Sequence, residues 1–134
     1  MALLTGAVTV ILTVRDLERS ATWYRSLLGA TEVGRDVEPD GHLAQIVLSE
    51  PASGLQLCLV HHRDGGDAPF DERRVGLDHL EFAVPSRTDL DEWAKRLDHL
   101  GIANSGVKTP AYTSNAMITF RDPDNIQLEF FLAG

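Results

Sequence analysis

The stretch Asp78-His79-Leu80-Glu81-Phe82-Ala83-Val84 decides the fold. Leu80, Phe82 and Val84 alternate with His79, Glu81 and Ala83, the two-residue period of a strand with one face on a core. The spacing predicts a strand over 79–84. A helix follows at once: Ser86 and Asp89 form a capping box, and Leu90, Trp93, Ala94, Leu97 and Leu100 recur at helical spacing up to Gly101. A strand feeding directly into an amphipathic helix must lay that helix's apolar stripe on one face of a sheet, so the other face is left to line something else.

Outward from this pair, the same order occurs earlier in the chain. Val8, Val10, Leu12 and Val14 alternate with Thr9, Ile11 and Thr13. Asp16 caps a helix carrying Leu17, Ala21, Tyr24 and Leu28, and Gly29 supplies a left-handed stop. Strand-like runs follow at 31–37, 43–49 and 55–60, with turns at Pro39-Asp40-Gly41 and 51–54. Downstream of the second helix the strand signals lie at 105–108, 116–121 and 126–132, with Asp122-Pro123-Asp124-Asn125 as a hairpin turn and Asn125 in the left-handed position. Thr9 corresponds to His79, Gly29 to Gly101 and Gln56 to Glu129, so one plan is written twice. The expectation is an α+β fold of two tandem βαβββ modules within one domain over 1–134. The modules occupy 1–61 and 77–134, and a Gly/Asp/Pro-rich linker spans 62–76.

Bulk properties narrow the function. The chain has 134 residues, with 12 Lys and Arg against 20 Asp and Glu, a formal charge of −8, and no basic cluster. Such a field repels phosphate backbones and anionic lipid, so neither nucleic acid nor membrane is expected as a partner. Residues 1–14 are uncharged, but they lack a basic region and are shorter than the roughly 20 apolar residues that span a bilayer. A lone cysteine, Cys58, leaves no internal disulfide and points to a reducing, cytoplasmic location.

Alternation also names the side chains on the uncovered faces. With Leu128, Phe130 and Leu132 inward, Gln127, Glu129 and Phe131 turn outward beside His79, Glu81 and Ala83. In the first module Leu55, Leu57 and Leu59 face the helix, leaving Gln56, Cys58 and Val60 on the side of Thr9, Ile11 and Thr13. Half-buried polar groups must meet water, a metal or a ligand, because an unpaired one costs about 1–3 kcal/mol. A binding cleft is one reading; a sheet face open to solvent is the other. A carboxylate near His79, from Glu81 or Glu129, would fix the imidazole tautomer and raise its pKa, which suits proton transfer. His61 and His62 are expected as solvated loop residues, His42 and His99 as structural ones, and Cys58 as a packed or cleft-lining thiol. Phe131, Tyr112 and Met117 are candidates to line an apolar ligand cup.

Val14-Arg15-Asp16-Leu17, Trp23-Tyr24, Leu27-Leu28-Gly29, the 78–84 stretch and Asp122-Pro123-Asp124-Asn125 leading to Leu128-Glu129-Phe130 together resemble the glyoxalase/bleomycin-resistance/dioxygenase (vicinal oxygen chelate) superfamily. The likeness covers nearly the whole chain. It implies a cupped, mostly antiparallel sheet, a small organic ligand held between the modules, and a homodimer. It implies one divalent metal ion (Zn, Ni, Fe or Mn), or none. Metal-dependent members take ligands from the first and last strand of each module, which here correspond to His79 and Glu129, and to Thr9 and Gln56. His79 and Glu129 are thus the candidate catalytic pair, with Gln56 a further metal donor. Thr9, Gln56, Cys58, Glu81, Tyr112, Met117, Gln127 and Phe131 are candidate ligand contacts. Thr9 stands where a histidine is usual, and a neutral hydroxyl is a poor ligand for a divalent ion. Two functions stay open, a metal-dependent lyase, isomerase or dioxygenase and an antibiotic-sequestering protein without catalysis.

Overall fold

The computed structural model describes residues 1–5 and 9–134; Val8, read above as part of the first strand, lies outside the described residues. The chain divides into two compact units, Met1–Asp67 and Ala68–Gly134. No helix among the described residues is long and apolar enough to cross a membrane.

The first unit runs β1 (Thr9–Thr13), α1 (Leu17–Leu28), β2 (Thr31–Val37), β3 (Leu43–Glu50) and β4 (Leu55–His62), in one sheet of order β1-β4-β3-β2. β1 and β4 pair in parallel, the other neighbours antiparallel. Asp16 caps α1 by accepting from the Arg19 N–H, and Gly29 closes it at φ 66°, a conformation that costs glycine nothing. Tyr24, Leu27, Ile46, Leu48, Leu57 and Leu59 are fully buried between helix and sheet. β1 shows the expected alternation, with Leu12 buried and Thr9, Ile11 and Thr13 exposed.

The second unit runs β5 (Leu80–Ala83), α2 (Arg87–His99), β6 (Ala116–Arg121) and β7 (Gln127–Leu132), in a three-stranded sheet of order β5-β7-β6. Ser86 caps α2 by accepting from the Asp89 N–H. Under the helix, Phe130 is stacked on Trp93 at 4.3 Å between centroids and on Phe120 at 5.1 Å, with Phe82 at 5.9 Å. Asn125 takes the left-handed conformation at φ 70° in the β6–β7 turn.

Four details differ from the sequence reading. The strand expected at 105–108 is reduced to two isolated bridges, Asn104 to Phe120 and Lys108 to Met117. Gly106 at φ 67° breaks the ladder between them, and the Ser105 hydroxyl donates to the Gly106 carbonyl. Leu100, expected in the apolar stripe, is the C-cap residue and is exposed. His61 and His62 are half-buried on β4 rather than solvated in a loop, and His61 Nδ1 lies 3.1 Å from the Val14 carbonyl oxygen. The 68–74 segment, read as exposed linker, is tied to the β6–β7 turn: the Phe70 N–H donates to the Asp124 carbonyl at 2.8 Å, and the Asn125 amide to the Phe70 carbonyl at 3.0 Å.

Candidate functional site

The register of the second unit assembles one polar row on the face away from α2. Glu81 pairs with Glu129 across the parallel β5–β7 ladder, and Thr119 of β6 lies on the other side of Glu129. The next row toward the strand ends is apolar, made by Ala83, Phe131 and Met117. His79 stands just before β5, on the same side of the chain as Glu81 two residues on. Strand alternation thus brings an imidazole and two carboxylates together. His79 Nε2 lies 3.7 Å from Glu129 Oε1 and 3.8 Å from Glu81 Oε2, and one donor atom from each of the three residues lies within 4.8 Å of the others.

The histidine is oriented from behind. His79 Nδ1 is 2.7 Å from Asp78 Oδ1, so Nδ1 carries the proton and donates it there. That leaves Nε2 to face Glu81 and Glu129. The tautomer is therefore set by Asp78, not by Glu81 or Glu129 as the sequence suggested. Asp78 was visible as the residue preceding the histidine, yet adjacent side chains on an extended strand point apart. The contact forms because both residues lie just before the strand begins.

Charge in this group is unbalanced. Three carboxylates (Asp78, Glu81, Glu129) surround one imidazole, so a net negative charge remains even when His79 is protonated. Only 7% of the Glu129 side-chain surface is exposed. Burial is the main reason its pKa is pushed up; the nearby Glu81 adds to the rise, while His79 and the Gln127 amide, which donates to Glu129 Oε1 at 3.3 Å, work against it. His79 is also raised, first by its bond to Asp78 and further by the fields of Glu129 and Glu81, against a partial desolvation. A buried carboxylate facing a second one is stabilised by a cation placed between them.

The donor set fits a divalent metal. One imidazole nitrogen and two carboxylate oxygens suit Mn, Fe, Ni or Zn, and three protein ligands on an open sheet face leave coordination positions for water or a ligand. Ligands about 2.1 Å from such an ion lie about 3 Å apart, so the two His79–carboxylate pairs would each close by about 0.7–0.8 Å and the widest pair by up to about 1.8 Å. Glu81, read from sequence as a ligand contact and a possible carboxylate partner of His79 but not as a metal donor, is the third member of this group. Its signal was the His-x-Glu spacing, which places both side chains on one strand face.

The remaining candidates lie as follows. Thr9 and Gln56 are register partners on β1 and β4 of the first unit, both exposed. Cys58 is buried on β4, its Sγ 3.5 Å from Gln45 Oε1, and burial raises its pKa. Gln127, Met117 and Phe131 are half-buried on the face that carries Glu129. Tyr112 is 90% exposed on a turn.

A family model described as the Glyoxalase/Bleomycin resistance protein/Dioxygenase superfamily matches residues 6–130. Among solved structures, the glyoxylase/bleomycin resistance protein/dioxygenase domain from Frankia sp. EAN1pec is 39% identical, with 98% of this chain and 94% of that one covered and a TM-score of 0.87. The glyoxalase family protein from Enterococcus faecalis is 20% identical, covering 95% and 98%, with a TM-score of 0.79. The fosfomycin resistance protein FosX from Listeria monocytogenes, crystallised with Mn(II) and sulfate ion, is 22% identical, covering 98% and 94%, with a TM-score of 0.68. No curated protein matches the chain.

Proposed function

The chain belongs to the Glyoxalase/Bleomycin resistance protein/Dioxygenase superfamily, and from that premise we propose that His79, Glu81 and Glu129 hold one divalent metal ion that receives an oxygen-bearing small organic ligand. The observation that carries this reading is the cluster of three donor atoms within 4.8 Å, with the histidine's other nitrogen held by Asp78. An imidazole whose far nitrogen is bonded to a carboxylate is the usual form of a metal-binding histidine. When bound, the metal would act as a Lewis acid toward a ligand oxygen, the chemistry shared by lyase, isomerase and dioxygenase reactions. The protein's own part is to keep the His79 Nε2 lone pair aimed at the site, to place the buried Glu129 carboxyl where a cation would favour its ionised form, and to offer Met117 and Phe131 to the apolar part of the ligand. On the first unit, Thr9 and Gln56 form a separate register pair of candidate ligand contacts.

FosX is crystallised with Mn(II), which makes that ion the first probe. Protein purified without chelator and titrated with Mn(II) is expected to bind one ion per chain, and His79→Ala and Glu129→Gln to bind none. Wild-type protein that takes up no ion on titration would overturn the metal reading.

A second reading, sequestration of an antibiotic-like compound without turnover, is favoured by Thr9, which is no substitute for an imidazole ligand. It predicts thermal stabilisation by a ligand in metal-free protein. We further propose a homodimer in a reducing, cytoplasmic setting. β1 and β2 edge one sheet and β5 and β6 the other, and open edges are commonly covered by a second copy. The buried free thiol of Cys58 fits the reducing compartment. Light scattering that gives a monomer mass at micromolar concentration would refute the dimer.

A further inference from the structure

We propose that Arg121 and Gln127 are positioning residues, a polar relay that aims the Glu129 carboxylate at the metal position from the 68–74 segment; this rests on the metal reading above. The Gln127 carboxamide has two orientations that differ only in which end faces which neighbour. Its Oε1 accepts from Arg121 Nη2 at 3.3 Å, and its Nε2 donates to Glu129 Oε1 at 3.3 Å. A flipped amide would turn its N–H toward a guanidinium and its carbonyl oxygen toward a carboxylate, losing both bonds for two repulsions. Neighbours of opposite charge therefore lock the amide, and Gln127 meets Glu129 as a donor.

Arg121 can impose this because it is itself fixed. Its guanidinium forks onto Glu72, with Nη2 2.8 Å from Oε1 and Nη1 3.1 Å from Oε2, and Nη1 also donates to the Asn125 carbonyl at 3.0 Å. Such two-pronged Arg–carboxylate pairing fixes orientation as well as distance. The Arg121 guanidinium holds the Glu72 carboxyl down to about 2, so the pair persists across the working pH range. Phe70, two residues before Glu72, is bonded to the β6–β7 turn through both its N–H and its carbonyl. The continuous path is Glu72, Arg121, Gln127, Glu129, His79, Asp78. It gives a stretch with the composition of a linker a task, because its anchoring determines where Arg121 stands. The cavity of about 480 Å³ beside that stretch is lined by Phe70, Glu72, Arg74, Arg121 and Asn125, and lies at the outer end of this path.

Two measurements test the relay. In metal-free, ¹⁵N-labelled protein the Gln127 side-chain NH₂ should give two well-separated proton resonances with slowed solvent exchange, and Arg121→Met should collapse them to the values of an exposed glutamine. In Mn(II) titrations, Arg121→Met and Gln127→Leu should each weaken binding about 10- to 100-fold, the usual effect of removing a group that orients a metal ligand. Because Arg121 acts through Gln127, the double variant should bind no more weakly than Gln127→Leu alone. An unchanged amide pair in Arg121→Met, unchanged Mn(II) affinity despite a collapsed pair, or losses that multiply in the double variant would each overturn the relay. If Arg121→Met does not fold, Glu72→Gln frees the same guanidinium and must loosen the same resonances. Wild-type protein that fails to bind Mn(II) refutes the metal site, while the amide measurement still decides the relay.

Discussion

Glu129→Gln should stabilise the metal-free protein at alkaline pH while removing its metal affinity. Glu129 Oε1 lies 3.7 Å from His79 Nε2, and its donor atom lies within 4.8 Å of that of Glu81. At an effective dielectric constant of about 20, the attraction to a protonated His79 is about 4.5 kcal/mol gross and the repulsion from an ionised Glu81 about 3.5 kcal/mol gross. With His79 protonated the two nearly cancel; once it is neutral, only repulsion and desolvation remain. Glu81 is 41% exposed, so solvent screens much of this, and the net gain on removing the charge is about 1–3 kcal/mol. The signs follow from the shifts. His79 is raised above its ordinary 6.5, so its contribution is present below that value and fades as pH rises through the folded pKa. Glu129 is raised too, so the folded protein holds that proton more tightly than the unfolded chain, and stability falls as pH rises through its folded pKa. Both make the wild type lose stability toward alkaline pH. At about 3–5 °C per kcal/mol for a chain of this size, the variant should melt about 3–15 °C above wild type at pH 9 in chelator, and by less at pH 6. Added Mn(II) at a hundred times its dissociation constant should stabilise only the wild type, by about 2.7 kcal/mol. A variant that melts below wild type at pH 9 would refute the unbalanced-charge reasoning.

Three further outcomes are expected. Asp78→Asn should leave the melting temperature almost unchanged, because the Asp78 side chain is 70% exposed, yet weaken Mn(II) about tenfold by loosening the imidazole; calorimetric titration checks this. Phe130→Ala should cost about 3–5 kcal/mol in denaturant unfolding, since the ring is fully buried among Trp93, Phe120 and Phe82. Cys58, buried and with its pKa pushed up by desolvation, should resist a thiol reagent in the folded protein and react fully in denaturant.

Much of the fold was legible because its rules are local. Asp16, Gly29, Ser86 and Asn125 each announce a cap or turn through their own backbone chemistry, and the structure shows them in those roles. The 105–108 strand misled because short β-like runs carry little information, and Gly106 decided against an extended ladder. In the site, alternation was enough to face His79, Glu81 and Glu129 the same way. It could not reveal the Asp78–His79 bond, which depends on where the strand starts, nor the Arg121–Glu72 fork, which joins residues 49 positions apart. Nothing in the composition of 62–76 distinguishes a solvated linker from a segment with one anchored glutamate.

The site's precision comes from the core one residue away on either side. Glu129 stands between Leu128 and Phe130, both fully buried beneath α2. A one-residue slip of β7 would point Glu129 into the aromatic cluster and expose Phe130, exchanging every inward side chain for an outward one. The slip would bury a carboxylate without a partner and unstack Trp93, each a cost of several kcal/mol. The apolar packing that holds α2 therefore also fixes the side on which the carboxylate emerges. Substitutions that soften the cluster, such as Phe82→Ala or Trp93→Ala, should blur the geometry around His79 without touching it, and should weaken Mn(II) binding along with the fold.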